Sequence, residues 1–180
     1  MALSADGKWL YPMLEGALKD SGPGLNIYTF DIEKQRFVNS QASQPSYRYR
    51  LDEGATAIGD FTMFSQTAGM VTERDSAEGD KAVIKKIYRV DFGQVDGEGF
   101  LHKYLVADLL NIDDPDDLNG DGSTRFSFPF WTIEGLAVLN ATTLGVVNDN
   151  NYPLGKARDD NGTQPDNNEF ILIEVAPLWE

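Results

Sequence analysis

The chain contains no cysteine and one histidine, His102, in 180 residues. The first absence excludes disulfides and thiolate metal ligands. The second leaves a His-rich metal site or a Ser-His-Asp triad without its parts. Basic residues are few: 15 Lys and Arg stand against 29 Asp and Glu, a formal net charge of -14. A surface of that sign repels nucleic-acid backbones and anionic lipid, so neither is an expected partner. No run is long and apolar enough to span a bilayer, which argues against membrane insertion, and no signal peptide opens the chain. Carboxylates are what remain to carry chemistry, and they favour cations.

These carboxylates gather at the ends of apolar runs. In residues 132–151, TIEGLAVLNATTLGVVNDNN, a first run of Ile133, Leu136, Val138 and Leu139 is followed by a second of Leu144, Val146 and Val147. Residues 140–143 between them have hairpin length. Glu134 precedes the first strand of this reading and Asp149 follows the second. Acids at strand ends stand at one rim of a sheet, open to ligands and metals. The same order of features occurs twice upstream. AIGDFTMF, from Ala57, aligns with TIEGLAVL, and Gly69-Met70-Val71-Thr72-Glu73 stands where Gly145-Val146-Val147-Asn148-Asp149 stands later. The first copy begins at Met1, turns at Asp6-Gly7, and runs through residues 9–14 into Glu15. After each acid come a polar excursion and an apolar strand closed by another acid: IYTFD (27–31), IYRVD (87–91) and FILIE (170–174). Three copies indicate an all-β repeat architecture. The units are roughly 1–50, 51–100 and 126–180, in a single domain spanning 1–180.

Between these landmarks, residues 36–38 and 47–51 are expected as a pair of outer strands. Tyr47, Tyr49 and Leu51 alternate with Ser46, Arg48 and Arg50, the half-buried strand pattern, so sheet packing is preferred to phosphate binding for the two arginines. Residues 83–90 form the next strand and 93–99 a loop. Apolar residues at 101, 105, 106, 109 and 110 have helical spacing, which predicts one short inserted helix over 101–112, ended by Pro115 and its acidic neighbours. It belongs to an insertion spanning 101–125. Residues 155–168 are rich in Asp, Asn and Gly and read as a solvated excursion of a length that often carries function.

Asp117, Asn119 and Asp121, followed by Gly122, have the oxygen-donor spacing of a calcium loop. Phe128 stands where an EF-hand would need its bidentate Glu, and easy turning by these residues accounts for the loop equally well. It is retained as a secondary metal site. An unperturbed histidine is the default general acid or base near neutrality, but His102 has no partner in any repeated position, which points to a surface residue. Lys103 is a solvated charge or, if turned to the acidic rim, a holder for an anionic group.

The segments MALSADGKWLYPMLEG, YRLDEGATAIGDF with GMVTERD, HKYLVADLLNI and TIEGLAVLNATTLGVVNDNN together resemble the esterase-like, phytase-like domain family. The resemblance covers most of the chain and implies a β-propeller and hydrolysis of phosphomonoesters or phosphodiesters. By position it implies a functional role for Glu15, Glu73, Glu134 and Asp149. Those residue types would hold calcium, which would supply positive charge, bind phosphate oxygens and position a water. Lys103, Arg74 and Arg158 are the candidate substrate-binding bases. A secreted or periplasmic location also follows from the resemblance alone.

Propellers have typically 4 to 8 blades, so about three blades make part of a larger ring. Met1 falls inside the first copy, after the place of an expected Glu-Gly pair. Uncovered blade edges favour self-association, and a second copy is one way to cover them. The alternative function is a noncatalytic calcium-binding propeller, an interaction module whose acids brace the rim.

Overall fold

The computed structural model of the chain describes residues 1–19, 22, 24–39, 44–153 and 164–179. In chain order, the first fifty residues carry β1 (Ala2–Leu3), β2 (Trp9–Tyr11), β3 (Gly24–Ile27), β4 (Phe30–Asp31), β5 (Arg36–Phe37) and β6 (Tyr47–Arg50). Then follow β7 (Ala57–Met63), β8 (Ala68–Arg74), β9 (Lys85–Val95) and β10 (Leu101–Asp108). The rest is β11 (Ile112–Asp113), β12 (Arg125–Phe126), β13 (Thr132–Asn140), β14 (Thr143–Asp149) and β15 (Phe170–Glu174). One 3-10 turn, Gly79–Lys81, is the only helical element among the described residues.

Three antiparallel sheets organise these strands. The first has the order β1-β2-β4-β5, the second β10-β9-β8-β7 and the third β13-β14-β15, with β3-β6 and β11-β12 as separate pairs. The second sheet lies between the other two. On one side Phe61, Val71 and Val90 pack with Ala2 and Tyr11 of the first sheet and with Leu25, Ile27 and Tyr49 of the β3-β6 pair. On the other, Met70 and Ile87 pack with Leu136, Leu144, Val146 and Ile173 of the third sheet. Alternation across a strand supplies both faces, and this double covering explains why every residue of β8 is buried, charged ones included. Such an all-β stack of repeated antiparallel sheets is the propeller-like arrangement expected from the repeats. Truncating a fully buried ring such as Phe61 would cost about 3–5 kcal/mol.

Several local expectations are corrected. Residues 101–112 are not helical: Leu101–Asp108 is β10, paired antiparallel to β9. Its ladder is broken between Leu101 and His102 and again between Leu105 and Ala107. Each irregularity displaces the two-residue alternation, and the displaced apolar positions imitate helical spacing. Residues 27–31 are not one strand. Ile27 ends β3 and Phe30 opens β4, in different sheets, so the outer-strand pair expected from 36–38 and 47–51 is also replaced. β5 pairs with β4 and β6 with β3. Glu134 does not precede a strand but is the third residue of β13.

The repeat itself holds, with its second strand one residue away from the expected alignment. Ala57 pairs with Arg74 and Ile58 with Glu73; Thr132 pairs with Asp149 and Ile133 with Asn148. The structural counterpart of Asp149 is therefore Arg74, and that of Glu73 is Asn148. The two hairpins are of equal length, Phe61 with Val71 matching Leu136 with Val146 and Met63 with Gly69 matching Val138 with Leu144, so the counterpart of Gly145 is Met70 and aligning it with Gly69 skips one residue. A one-residue offset exchanges the faces of a strand.

Candidate functional site

Arg74 ends β8 on the face turned to the third sheet. Its Nη2 donates to Glu15 Oε1 at 2.6 Å, and its Nε lies 3.8 Å from Glu134 Oε1. The arginine side chain is only 8% exposed, whereas that of Glu15 is 67% exposed. Nε is buried without a hydrogen-bond partner among the described residues. Glu134 reaches this position because β7 and β13 touch backbone to backbone: a Cβ on Gly59 would come within 1.8 Å of the Ile133 carbonyl oxygen, so no side chain fits there. Asp60, next along, locks the contact by accepting the Leu136 N–H at 2.8 Å and the Phe61 N–H at 2.7 Å. Glu15 arrives on the segment after β2, held by its carbonyl accepting the Ile58 N–H at 2.9 Å. Asp149, at the end of β14, accepts the Asn151 N–H at 2.8 Å.

The electrostatics of this rim are unbalanced. Burial raises the Glu134 pKa; Arg74 opposes the rise, while the charges of Glu15, Asp149 and Asp60 add to it. Around Glu134 one guanidinium is thus set against burial and three other carboxylates, and the net effect holds its pKa above that of an exposed glutamate. A half-buried carboxyl of that kind can donate a proton, and a buried guanidinium can hold an oxyanion.

Glu73 points the other way. It is fully buried, with Oε1 accepting from the Tyr49 hydroxyl at 2.5 Å and from the Lys103 ammonium, and Oε2 accepting the Asp52 N–H at 3.0 Å. Lys103 also pairs with Asp52 Oδ1 at 2.7 Å, Lys86 approaches Asp52 Oδ2 at 3.5 Å, and the Tyr88 hydroxyl donates to that same oxygen. Burial alone would raise the Asp52 pKa; hydrogen bonds from Lys103 and Tyr88 outweigh it and hold the carboxyl below its ordinary range. Burial first, and then the neighbouring carboxylates, push both tyrosines far above theirs. Two carboxylates and two ammonium groups balance here, so Lys103 is committed to this network and not to the Arg74 rim.

A third charged group joins the sheets. Lys85, fully buried, pairs with Asp75 Oδ1 at 2.8 Å and donates to the carbonyl oxygens of Asp75 and Trp131 at 3.1 Å. In the loop after β11, the side chains turn on their own backbone. Asp117 accepts the Gly122 N–H, Asn119 donates to Asp121 Oδ2 at 3.0 Å, and Asp121 accepts the Ser123 N–H at 2.7 Å. Positive φ angles at Asp117, Gly120 and Gly122 fit that turn chemistry. Among the described residues no three Asp, Glu or His side chains gather closely enough to hold a metal. Glu15 and Glu134 are bridged by a guanidinium instead, so calcium does not fit this arrangement. Arg158 lies outside the described residues. His102 is exposed on β10.

Of the residues singled out by sequence, Glu15, Arg74, Glu134 and Asp149 thus share one electrostatic neighbourhood, and Glu73 and Lys103 share another. Asp60 and Asp52 were missed. Asp60 could have been found from its place in AIGDF, beside the position aligned with Glu134; nothing local in the sequence marks Asp52.

No curated protein and no solved structure matches the chain. A family model named Phytase-like and described as esterase-like activity of phytase matches residues 1–152. That description supports a hydrolase-type function in general. With most of its length matched, the chain belongs to the phytase-like family.

Proposed function

We propose that the Arg74 rim hydrolyses phosphoesters, with Arg74 as the anion holder and Glu134 as the general acid. The observation that carries this reading is the pairing of a buried guanidinium, whose Nε lacks a hydrogen-bond partner among the described residues, with a carboxyl of raised pKa 3.8 Å away. The phosphoryl oxygens displace the exposed carboxylate of Glu15 from Arg74. Asp149 takes a proton from the attacking water as its oxygen bonds to phosphorus. The bond from phosphorus to the leaving oxygen breaks, and Glu134 gives that oxygen its proton. Solvent then returns a proton to Glu134 and removes one from Asp149. General acid-base assistance of this kind is worth about 10²–10⁴ in rate. A surplus of carboxylates repels a doubly charged phosphate, so singly charged substrates are favoured: diesters, or monoesters at mildly acid pH.

A second reading has its own support. Arg74 ties the segment after β2 to β13 across β8, as a structural clamp would, in a noncatalytic module. The deciding experiment is an assay of the chain with phosphodiester, phosphomonoester and carboxylic-ester substrates, in chelator and in calcium. Turnover of a phosphoester in chelator, abolished by Glu134→Gln, supports the hydrolase. Absence of turnover with every substrate and metal condition leaves the clamp. A location outside the cytoplasm accompanies the hydrolase reading and is checked by fractionating producing cells.

A further inference from the structure

Each internal junction between sheets follows one rule: a face of one sheet packs on the opposite face of the next. Among the described residues, the first and third sheets each have one face left over. On the first, register places Leu3 opposite Leu10, Leu10 opposite Phe30, and Phe30 opposite Phe37, so all four share a face across β1, β2, β4 and β5. The other face of that sheet, with Ala2 and Tyr11, is the one packed on the second sheet. On the third sheet, Phe170 lies opposite Val147, and Leu172 opposite Gly145, which lies opposite Ala137. Leu136, Leu144 and Val146 occupy the opposite face, packed on the second sheet. The leftover rows are apolar and open: Leu3 is 52% exposed, Phe37 47%, Phe170 62% and Leu172 61%.

We propose that two copies of this chain close on each other, the open face of the third sheet of each packing on the open face of the first sheet of the other. The argument is equivalence of position. The open face of the third sheet corresponds, by strand register, to the Met70 and Ile87 face of the second, which does accept a sheet. The open face of the first corresponds to the Phe61 and Val71 face, which packs on one. What each row needs is therefore the other row, and a second copy of the same chain presents it. Two copies related by a two-fold axis form both junctions at once and give six sheets, within the 4 to 8 of closed propellers. Aromatic groups wait on both sides: Phe30 and Phe37 already meet edge-on at 5.2 Å, and Phe170 covers Gly145, whose absent Cβ leaves room for the ring. Net charge of -14 on each copy opposes the approach, so added salt strengthens association.

Light scattering or sedimentation of the 180-residue chain across a concentration series tests this directly. The expected result is a species of twice the 19.9 kDa chain mass, favoured by higher salt. Leu172→Asp and Phe37→Asp each reduce the mass to that of one copy. Both side chains are exposed in the single copy, so far-ultraviolet circular dichroism reports unchanged folding. Mixing the two variants restores a pair, because one junction then has two intact faces. A single-copy mass for the parent chain at every concentration and salt overturns the proposal. So do masses that grow beyond two copies, a pair that survives both substitutions, or a mixture that stays single.

Discussion

Glu73 and Arg74 are neighbours on one strand, yet the groups built around them differ in charge balance. On the Glu73 face, two carboxylates meet two ammonium groups and two phenols, all interlinked. On the Arg74 face, Glu134 feels one guanidinium and the charges of three other carboxylates. A balanced buried network offers a ligand nothing without breaking itself, so its worth is structural. An unbalanced rim raises the pKa of a carboxyl and leaves the Arg74 Nε without a hydrogen bond among the described residues, and both are available to a substrate. The chain places the two side by side because consecutive residues of a strand face opposite sides.

The largest effect expected from this contrast is on folding. Glu73→Ala leaves Lys103 and Tyr49 facing a void, a class of change that costs about 3–5 kcal/mol. At roughly 2–4 °C per kcal/mol for a chain of this size, Tm falls by on the order of 10 °C; a fall as small as that of an ordinary surface substitution would show that the network does not hold the sheets. Next comes ligand binding. Arg74→Lys keeps the charge but loses the planar fork and Nε, and charged hydrogen bonds are worth about 1.5–3 kcal/mol. KM for a phosphoester therefore rises by roughly 10- to 100-fold with a smaller change in kcat. An unaltered KM would remove Arg74 from the substrate site.

A smaller effect distinguishes the two faces by sign. The folded pKa of Glu134 is raised above its ordinary 4.5, so its ionised form costs stability once pH exceeds that value. Glu134→Gln is accordingly more stable than the parent at neutral pH, and the gain disappears as pH falls below about 4.5. Asp52 behaves oppositely: its folded pKa is lowered, so the stability it contributes is complete above 3.8 and is lost as pH drops through the folded value. Thermal melts against pH separate these slopes. The smallest effect is that of calcium. With no described group of acids gathered to hold it, millimolar calcium moves Tm by less than about 1 °C, since only binding to the folded state raises it. A rise of several degrees, lost in Asp117→Asn or in Glu15→Gln, would locate a metal site at one of those residues.

Much of this was readable from residue order, and the failures have physical causes. Hairpins at 57–74 and 132–149 and the strand 170–174 follow from alternation and turn length, which are local. The alignment of Glu73 with Asp149 fails because matching Gly69 to Gly145 skips one residue between hairpins of equal length, and a one-residue slip reverses the face. The helix expected at 101–112 fails because breaks in the β9-β10 ladder disturb the two-residue period. Asp52 could not be found at all: it meets Lys86, Tyr88 and Lys103 only through sheet packing, and no spacing in the chain encodes that meeting. Glu134 was recognised as an acid at a sheet rim, but its pKa is raised first by burial and then by the charges of Glu15, Asp149 and Asp60, a setting that depends on the backbone contact at Gly59.

The claim that Glu134 is the proton donor of a hydrolytic rim is tested most directly by the pH profile of kcat/KM for phosphodiester hydrolysis, measured in chelator for the parent chain and for Glu134→Gln. The account predicts that parent activity declines as pH rises through the raised pKa of Glu134. In the variant, activity falls by about 10²–10⁴ and that decline is absent. A variant that keeps both the rate and the decline would contradict it.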